Sequence, residues 1–165
     1  MKRLSGHFCD QRRGLRNRIL GRSLSYMNSK GTRKKMTVLV DSWAWIEYFK
    51  GTCAGERVKE LLENSQDKVI VSTVNIVEVY NSFLSDYSRP DNDRYAEASR
   101  NAMEQRSYVY EVDKKIAVDS AKIKHEKKWG LGDSIIYATA KREGALVLTG
   151  DPHFKGLNDV IYLER

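Results

Sequence analysis

Short β-branched or apolar runs, separated by segments long enough for a helix, set the tightest limit on what this chain can fold into. The runs are Thr37–Val40, Val69–Val71, Tyr108–Val112, Ala145–Leu148 and Val160–Tyr162. Runs this short, rich in Val, Ile and Tyr, read as buried strands. The stretches between them have helical spacing or helix signals. Trp43–Phe49 is stopped near Gly51, and Glu56–Asn64 follows. Thr73 is placed to cap a helix that runs to about Tyr87, with Ile76, Tyr80, Phe83, Leu84 and Tyr87 as its apolar stripe. A turn at Ser88–Asp93 leads to a polar helix ending near Gln105. A basic helix spans Lys114–Lys127, the chain breaks at Trp129–Gly132, and Asp133–Arg142 forms a last helix that Gly144 ends. Strands alternating with helices imply an α/β fold: a central parallel sheet of about five short strands, flanked by helices in three layers.

With 165 residues, 41% apolar and 31% charged, the chain has the composition of a globular domain with a real core. No segment approaches the roughly 20 consecutive apolar residues of a membrane span. Cys9 and Cys53 have neither CxxC nor zinc-like spacing, which leads us to expect a reducing, cytoplasmic setting. The net charge of +7 is unevenly spread. Residues 1–35 hold eleven of the 29 Lys/Arg and one of the 22 acids, a net of +10; the rest is left with 18 basic and 21 acidic residues, a net of −3. Global charge therefore says little about what the folded part binds.

Residues 1–35 lack an apolar h-region, which excludes an ordinary secretory signal. Their composition also fits an organellar transit peptide or a basic arm that meets RNA. The reading adopted is a disordered extension, translated from an upstream start, with Met36 opening the domain of residues 36–165. His7 and Cys9 lie in that extension with no further ligands near them.

In an open parallel sheet, ligands bind beyond the carboxyl ends of the strands. Asp41 directly follows the first run, Asp151 follows Ala145–Leu148 at close range, and Asp133 opens a helix at the same expected edge. Crowded carboxylates repel unless a cation neutralises them. Oxygen ligands without a His or Cys cluster point to Mg²⁺ or Mn²⁺ rather than zinc. Singly, each acid has an ordinary explanation. Asp41 and Asp133 suit helix caps, Asp151-Pro152 opens a turn, and Glu78 lies on the polar side of its helix with Asn81 and Ser85.

Four segments together carry more weight: Val-Leu-Val-Asp41-Ser42, Asn75-Ile-Val-Glu78-Val, Leu131-Gly-Asp133-Ser-Ile-Ile-Tyr-Ala138 and Leu148-Thr149-Gly-Asp151-Pro-His-Phe154. They resemble, in order and spacing, the motifs of PIN-domain ribonucleases of the VapC toxin type, across essentially all of residues 36–165. Gly156-Leu157 and the Val160–Tyr162 run resemble the end of that family's domain. The resemblance implies that Asp41, Glu78, Asp133 and Asp151 bind the catalytic metal, directly or through water. Ser42 and Thr149 would be the hydroxyls that orient carboxylate or water. It implies hydrolysis of RNA to 5′-phosphate and 3′-hydroxyl ends, a cognate antitoxin whose helix and tail cover the site, and a homodimer. Trp43 departs from the family, which often has a small polar residue there.

Weaker signals have two readings each. Lys114, Lys115, Lys122, Lys124, Lys127 and Lys128 precede Asp133; they form either a solvated helix face or a phosphate track for RNA, the latter resting on Lys122, Lys124, Lys127 and Lys128. Trp43, Trp45, Tyr48 and Phe49 are core packing or a groove for a partner helix. His125 and His153 read as surface residues, with contact to substrate the sharper alternative for His153.

Rival functions fail on particular positions. A haloacid-dehalogenase-type phosphatase needs a second Asp where Trp43 stands. A receiver-like domain needs a phosphorylatable Asp after its third strand, whereas Glu78 lies inside a helix. An RNA-maturation nuclease on the same fold, or a non-catalytic RNA-binding scaffold, remains the alternative.

Overall fold

The computed structural model describes residues 35–164 except Ser65, Tyr87 and Arg89. The basic extension, with His7 and Cys9, lies outside the described residues apart from Lys35, and so does Tyr87 of the expected stripe.

Thr37–Val40 forms β1, Lys68–Ser72 β2, Tyr108–Tyr110 β3, Leu146–Thr149 β4 and Val160–Tyr162 β5. All neighbouring pairs are parallel, in the order β3-β2-β1-β4-β5. The helices are α1 (Ser42–Lys50), α2 (Cys53–Asn64), α3 (Thr73–Leu84), α4 (Asn92–Arg106), α5 (Lys114–Lys127) and α6 (Leu131–Arg142). The expected α/β sheet is present, and its middle strand is its first. Leu39 pairs with Ile70 on one side and Val147 on the other, and Val38, Leu39 and Val40 are all fully buried. A strand covered on both faces has no use for alternation, so β1 reads as an unbroken apolar run.

On one face of the sheet, Leu39, Ile70 and Val147 form a core with Ile136, Tyr137 and Ala140 of α6, and Trp129 and Phe154 close it at one end. Trp45 is fully buried; its ring stacks on Phe49, and Phe49 meets Phe83 of α3 edge-on. The aromatic helix is thus mainly core. Gly51 caps α1 in the left-handed region at φ 64°.

Several boundaries differ from the sequence reading: α2 begins at Cys53 rather than Glu56, β3 ends at Tyr110 rather than Val112, and further differences fall at α3 and α6. Ser72, not Thr73, caps α3: its hydroxyl accepts from Val74 N, and Asn75 Oδ1 accepts from Ser72 N at 2.8 Å. This reciprocal pair outcompetes a lone Thr cap. α3 ends at Leu84 rather than near Tyr87. α6 begins at Leu131 with Gly130 as its cap, so Asp133 lies in the first turn and caps nothing. Leu131 is exposed, so no apolar pattern marked the earlier start. No helix of the described residues is long and apolar enough to cross a membrane.

Candidate metal centre

The strand order fixes the place. From β1 the chain goes to β2 on one side, and β4 returns on the other, so a crevice opens where the carboxyl ends of β1 and β4 diverge. Asp41 and the Thr149–Asp151 segment stand at that point. Asp41 N donates to Leu148 O at 3.0 Å, continuing the ladder one residue past β1.

Asp41 is buried, 4% exposed, and its Oδ2 accepts from Thr149 Oγ1 at 2.7 Å. The same Thr149 oxygen accepts from Asp151 N at 2.9 Å, so one hydroxyl positions both acids. Glu78, on α3, is half-buried rather than on an open surface. Ser42 Oγ donates to its Oε2 at 2.5 Å, and Asn75 Nδ2 donates to Ser42 Oγ at 2.9 Å. The cap that starts α3 therefore also aims Glu78: Ser72 holds Asn75, Asn75 holds Ser42, and Ser42 holds the carboxylate. Asn75 has no role in the sequence reading beyond its motif. The Ser72-x-x-Asn75 spacing was the signal that could have supplied one.

Asp133 comes from the first turn of α6. His153 Nδ1 lies 3.1 Å from Asp133 Oδ2 and 3.3 Å from Asp151 Oδ1, and one donor atom from each of the three falls within 4.8 Å of the others. Gly132, just before Asp133, gives Glu78 its space. A Cβ there would stand 2.1 Å from Glu78 Oε1.

Burial and mutual repulsion mark the cluster. Burial drives the Asp41 carboxyl up to about 7, and the charges of Glu78 and Asp133 push the same way against the Thr149 hydrogen bond. Glu78 is raised by burial and by Asp133 and Asp151. Asp133 is raised by burial and by Asp151, with His153 opposing. Among the described residues, no lysine or arginine pairs with Asp41, Glu78, Asp133 or Asp151. Oxygen donors, held rigidly and short of positive charge, fit a divalent cation.

Trp43 lies against the loop after β4. Its ring packs on Gly150, where a Cβ would be 2.4 Å from the indole and 2.7 Å from Leu163 O. The large residue in α1 is matched by the missing side chain in the β4 loop.

The lysines separate. Lys122 faces Asp119 at 3.7 Å. Lys124 Nζ donates to Trp129 O at 3.2 Å, and Lys127 Nζ stands 5.1 Å from the Trp129 ring centre. Trp129 is in turn beside His153, with ring centres 6.5 Å apart. Lys128 caps α5 at φ 59°. Lys124 and Lys127 thus lie beside Trp129, which neighbours His153, whereas Lys122 lies beside Asp119.

Residues 38–159 match the PIN domain family. No curated protein sequence matches the chain. Among solved structures, a toxin–antitoxin complex from Klebsiella pneumoniae is similar at TM-score 0.63 and 24% identity, covering 78% of this chain and 99% of that one. The DNA-bound VapBC of Salmonella typhimurium is similar at TM-score 0.62 and 16% identity, with 78% and 98% covered. VapC20 of Mycobacterium tuberculosis, described as a sarcin–ricin loop cleaving toxin, is similar at TM-score 0.54 and 17% identity, with 66% and 84% covered. The five-stranded parallel sheet is the fold these chains share. With its match running from β1 to the threshold of β5, this chain belongs to the PIN domain family.

Proposed function

We propose that this chain is a divalent-metal-dependent endoribonuclease, acting as the toxin of a toxin–antitoxin pair, with residues 36–165 as the nuclease domain. The observation that carries the reading is the convergence of Asp41, Glu78, Asp133 and Asp151 from separate elements with no lysine or arginine to neutralise them among the described residues. Holding charged carboxylates this close costs stability, and a cost retained at a strand-end crevice is a mark of function.

Asp41, Glu78, Asp133 and Asp151 would hold Mg²⁺ or Mn²⁺. A bound divalent ion supplies charge neutralisation at the phosphoryl oxygens and a water acidic enough to attack phosphorus. Thr149 and Ser42 keep Asp41 and Glu78 in fixed orientations, so little reorganisation accompanies the reaction. Lys124 and Lys127, beside Trp129, would steer the RNA backbone, with Lys122 and Lys128 more distant contributors.

The antitoxin partner and the RNA substrate rest on the family and on what the similar complexes are described as. A homodimer is the remaining part of the reading; light scattering on the purified chain tests it. Retention of all four acids speaks against a non-catalytic scaffold.

The experiment is cleavage of labelled structured RNAs by the full chain with Mg²⁺ or Mn²⁺ against EDTA, beside Asp41→Asn. Cutting is expected only with metal, and a loss of roughly a hundred-fold or more in the variant. Cleavage that persists in EDTA, or in the variant, rejects the mechanism.

A further inference from the structure

His153 is the one histidine among the described residues whose ring enters the carboxylate cluster. We propose that its Nδ1 is itself a ligand of the divalent ion, forming with Asp133 and Asp151 a mixed nitrogen–oxygen triad that favours transition-metal ions such as Mn²⁺ over Mg²⁺. The inference rests on the metal-dependent reading above and corrects its all-oxygen donor set.

The distances carry it. Adjacent ligands of an octahedral ion bound at about 2.1 Å stand about 3.0 Å apart. Nδ1 is 3.1 Å from Asp133 Oδ2 and 3.3 Å from Asp151 Oδ1, so two edges of such a polyhedron are already drawn. The backbone that presents the ring is held in place. His153 N donates to Asp151 Oδ1 at 2.8 Å, which ties the residue to the acid it neighbours. The Pro152–Phe154 turn that carries it is anchored by Phe154, which is fully buried, and Trp129 flanks the imidazole. An exposed side chain without a task has no need of such fixing.

Chemistry then sets the selectivity. Mg²⁺ prefers oxygen and yields its waters reluctantly, so an imidazole adds little to its binding. First-row transition ions accept nitrogen readily, with affinity rising along the series from Mn²⁺. The competing account of the same geometry is a simple ion pair, in which a protonated His153 stands where the cation would bind. The two accounts make opposite statements about His153 once metal is present.

The test is Mn²⁺ binding to the full chain, followed by calorimetry and pulsed electron paramagnetic resonance, with His153→Ala, His153→Asp and Asp133→Asn as variants. Bound Mn²⁺ should show coupling to an imidazole nitrogen in the wild-type protein, absent in both His153 variants. His153→Ala should weaken Mn²⁺ by about ten-fold and Mg²⁺ by less than about two-fold. His153→Asp should bind both ions without the nitrogen signal, showing that the fold and the site survive. Mn²⁺ bound by wild type but lost in Asp133→Asn, with no nitrogen coupling, overturns the ligand role and leaves the metal-dependent reading standing. Nitrogen coupling and affinity that persist in His153→Ala overturn it equally. A wild-type chain that binds no Mn²⁺ at all removes both.

Discussion

β1 and the residue that follows it are two regions of opposite character, adjacent in the chain. Val38, Leu39 and Val40 are fully buried among other apolar side chains, and their backbone groups pair with β2 and β4 on both sides. Asp41 is nearly as buried, yet its surroundings raise its carboxyl to about 7. The first region gains free energy from leaving water; the second loses it. Burial alone therefore does not separate structural from functional positions. What separates them is whether the buried group is compensated without a ligand. Leu39 is. Asp41, with only hydrogen bonds from Thr149 and the Ser42 backbone to offset burial, Glu78 and Asp133, is not.

Truncating the apolar region breaks the comparison hardest. Leu39→Ala should cost about 3 kcal/mol by chemical denaturation, the same with or without Mg²⁺, because it leaves a cavity in a sealed core. A loss that Mg²⁺ repairs would show that the two regions are coupled.

Asp41→Asn should act in the opposite direction, stabilising the metal-free protein at pH 8 by about 2 kcal/mol. The sign follows from a folded-state value of about 7 against an ordinary 3.8. Asp41 contributes its stability in full below the ordinary value, loses it as pH rises, and has none left above about 7. The advantage of the variant should accordingly shrink towards zero near pH 4, the ordinary carboxylate range. Added Mg²⁺ should raise the melting temperature of the wild type and leave the variant unchanged.

Gly132→Ala separates fold from site. The clashing atom is the free end of the Glu78 side chain, which can move, so unfolding should change by less than about 0.5 kcal/mol. Divalent-ion affinity should fall by about ten-fold, since Glu78 is pushed off its Ser42 contact. Equal damage to both would mean that Glu78 is structural.

The smallest effect is expected at Lys128, a non-glycine residue at φ 59°. Lys128→Gly should stabilise the chain by about 1 kcal/mol and leave the acidic cluster untouched. A fall in RNA affinity in this variant, measured against salt, would count for the basic track.

Legibility in the sequence followed the range of the interaction. β1, α5 and β5 have the bounds their apolar and helical patterns predict, because period and length are local properties. Asp41, Asp133 and Asp151 stood out as candidates because strand ends, helix openings and turn openers are local too, whereas Glu78, inside a helix, stood out only through the family resemblance. The start of α3 was misplaced by one residue because Ser72 and Thr73 are equally good caps until Asn75 chooses between them. The early start of α6 was hidden because Leu131 is exposed and follows two breaks in the pattern. The contacts of Asn75 and His153 were not visible because each is made with a residue distant in the chain: Asn75 with Ser42, His153 with Asp133.

The sequence by itself determined that this would be a parallel α/β sheet with acids at its strand ends. Side-chain volume, backbone preference and periodicity are properties each segment carries alone. Only the tertiary structure decided that β1 lies between β2 and β4, and with it which groups meet. The strand order makes the crevice, places Thr149 between Asp41 and Asp151, turns the Trp43 ring onto Gly150, and brings His153 against Asp133. The physical reason is that a convergence of charges has no local driving force. It repels itself, and is held together only because burial of Leu39 and Val147 in the sheet, and of Phe154 in the turn packed on it, outweighs it.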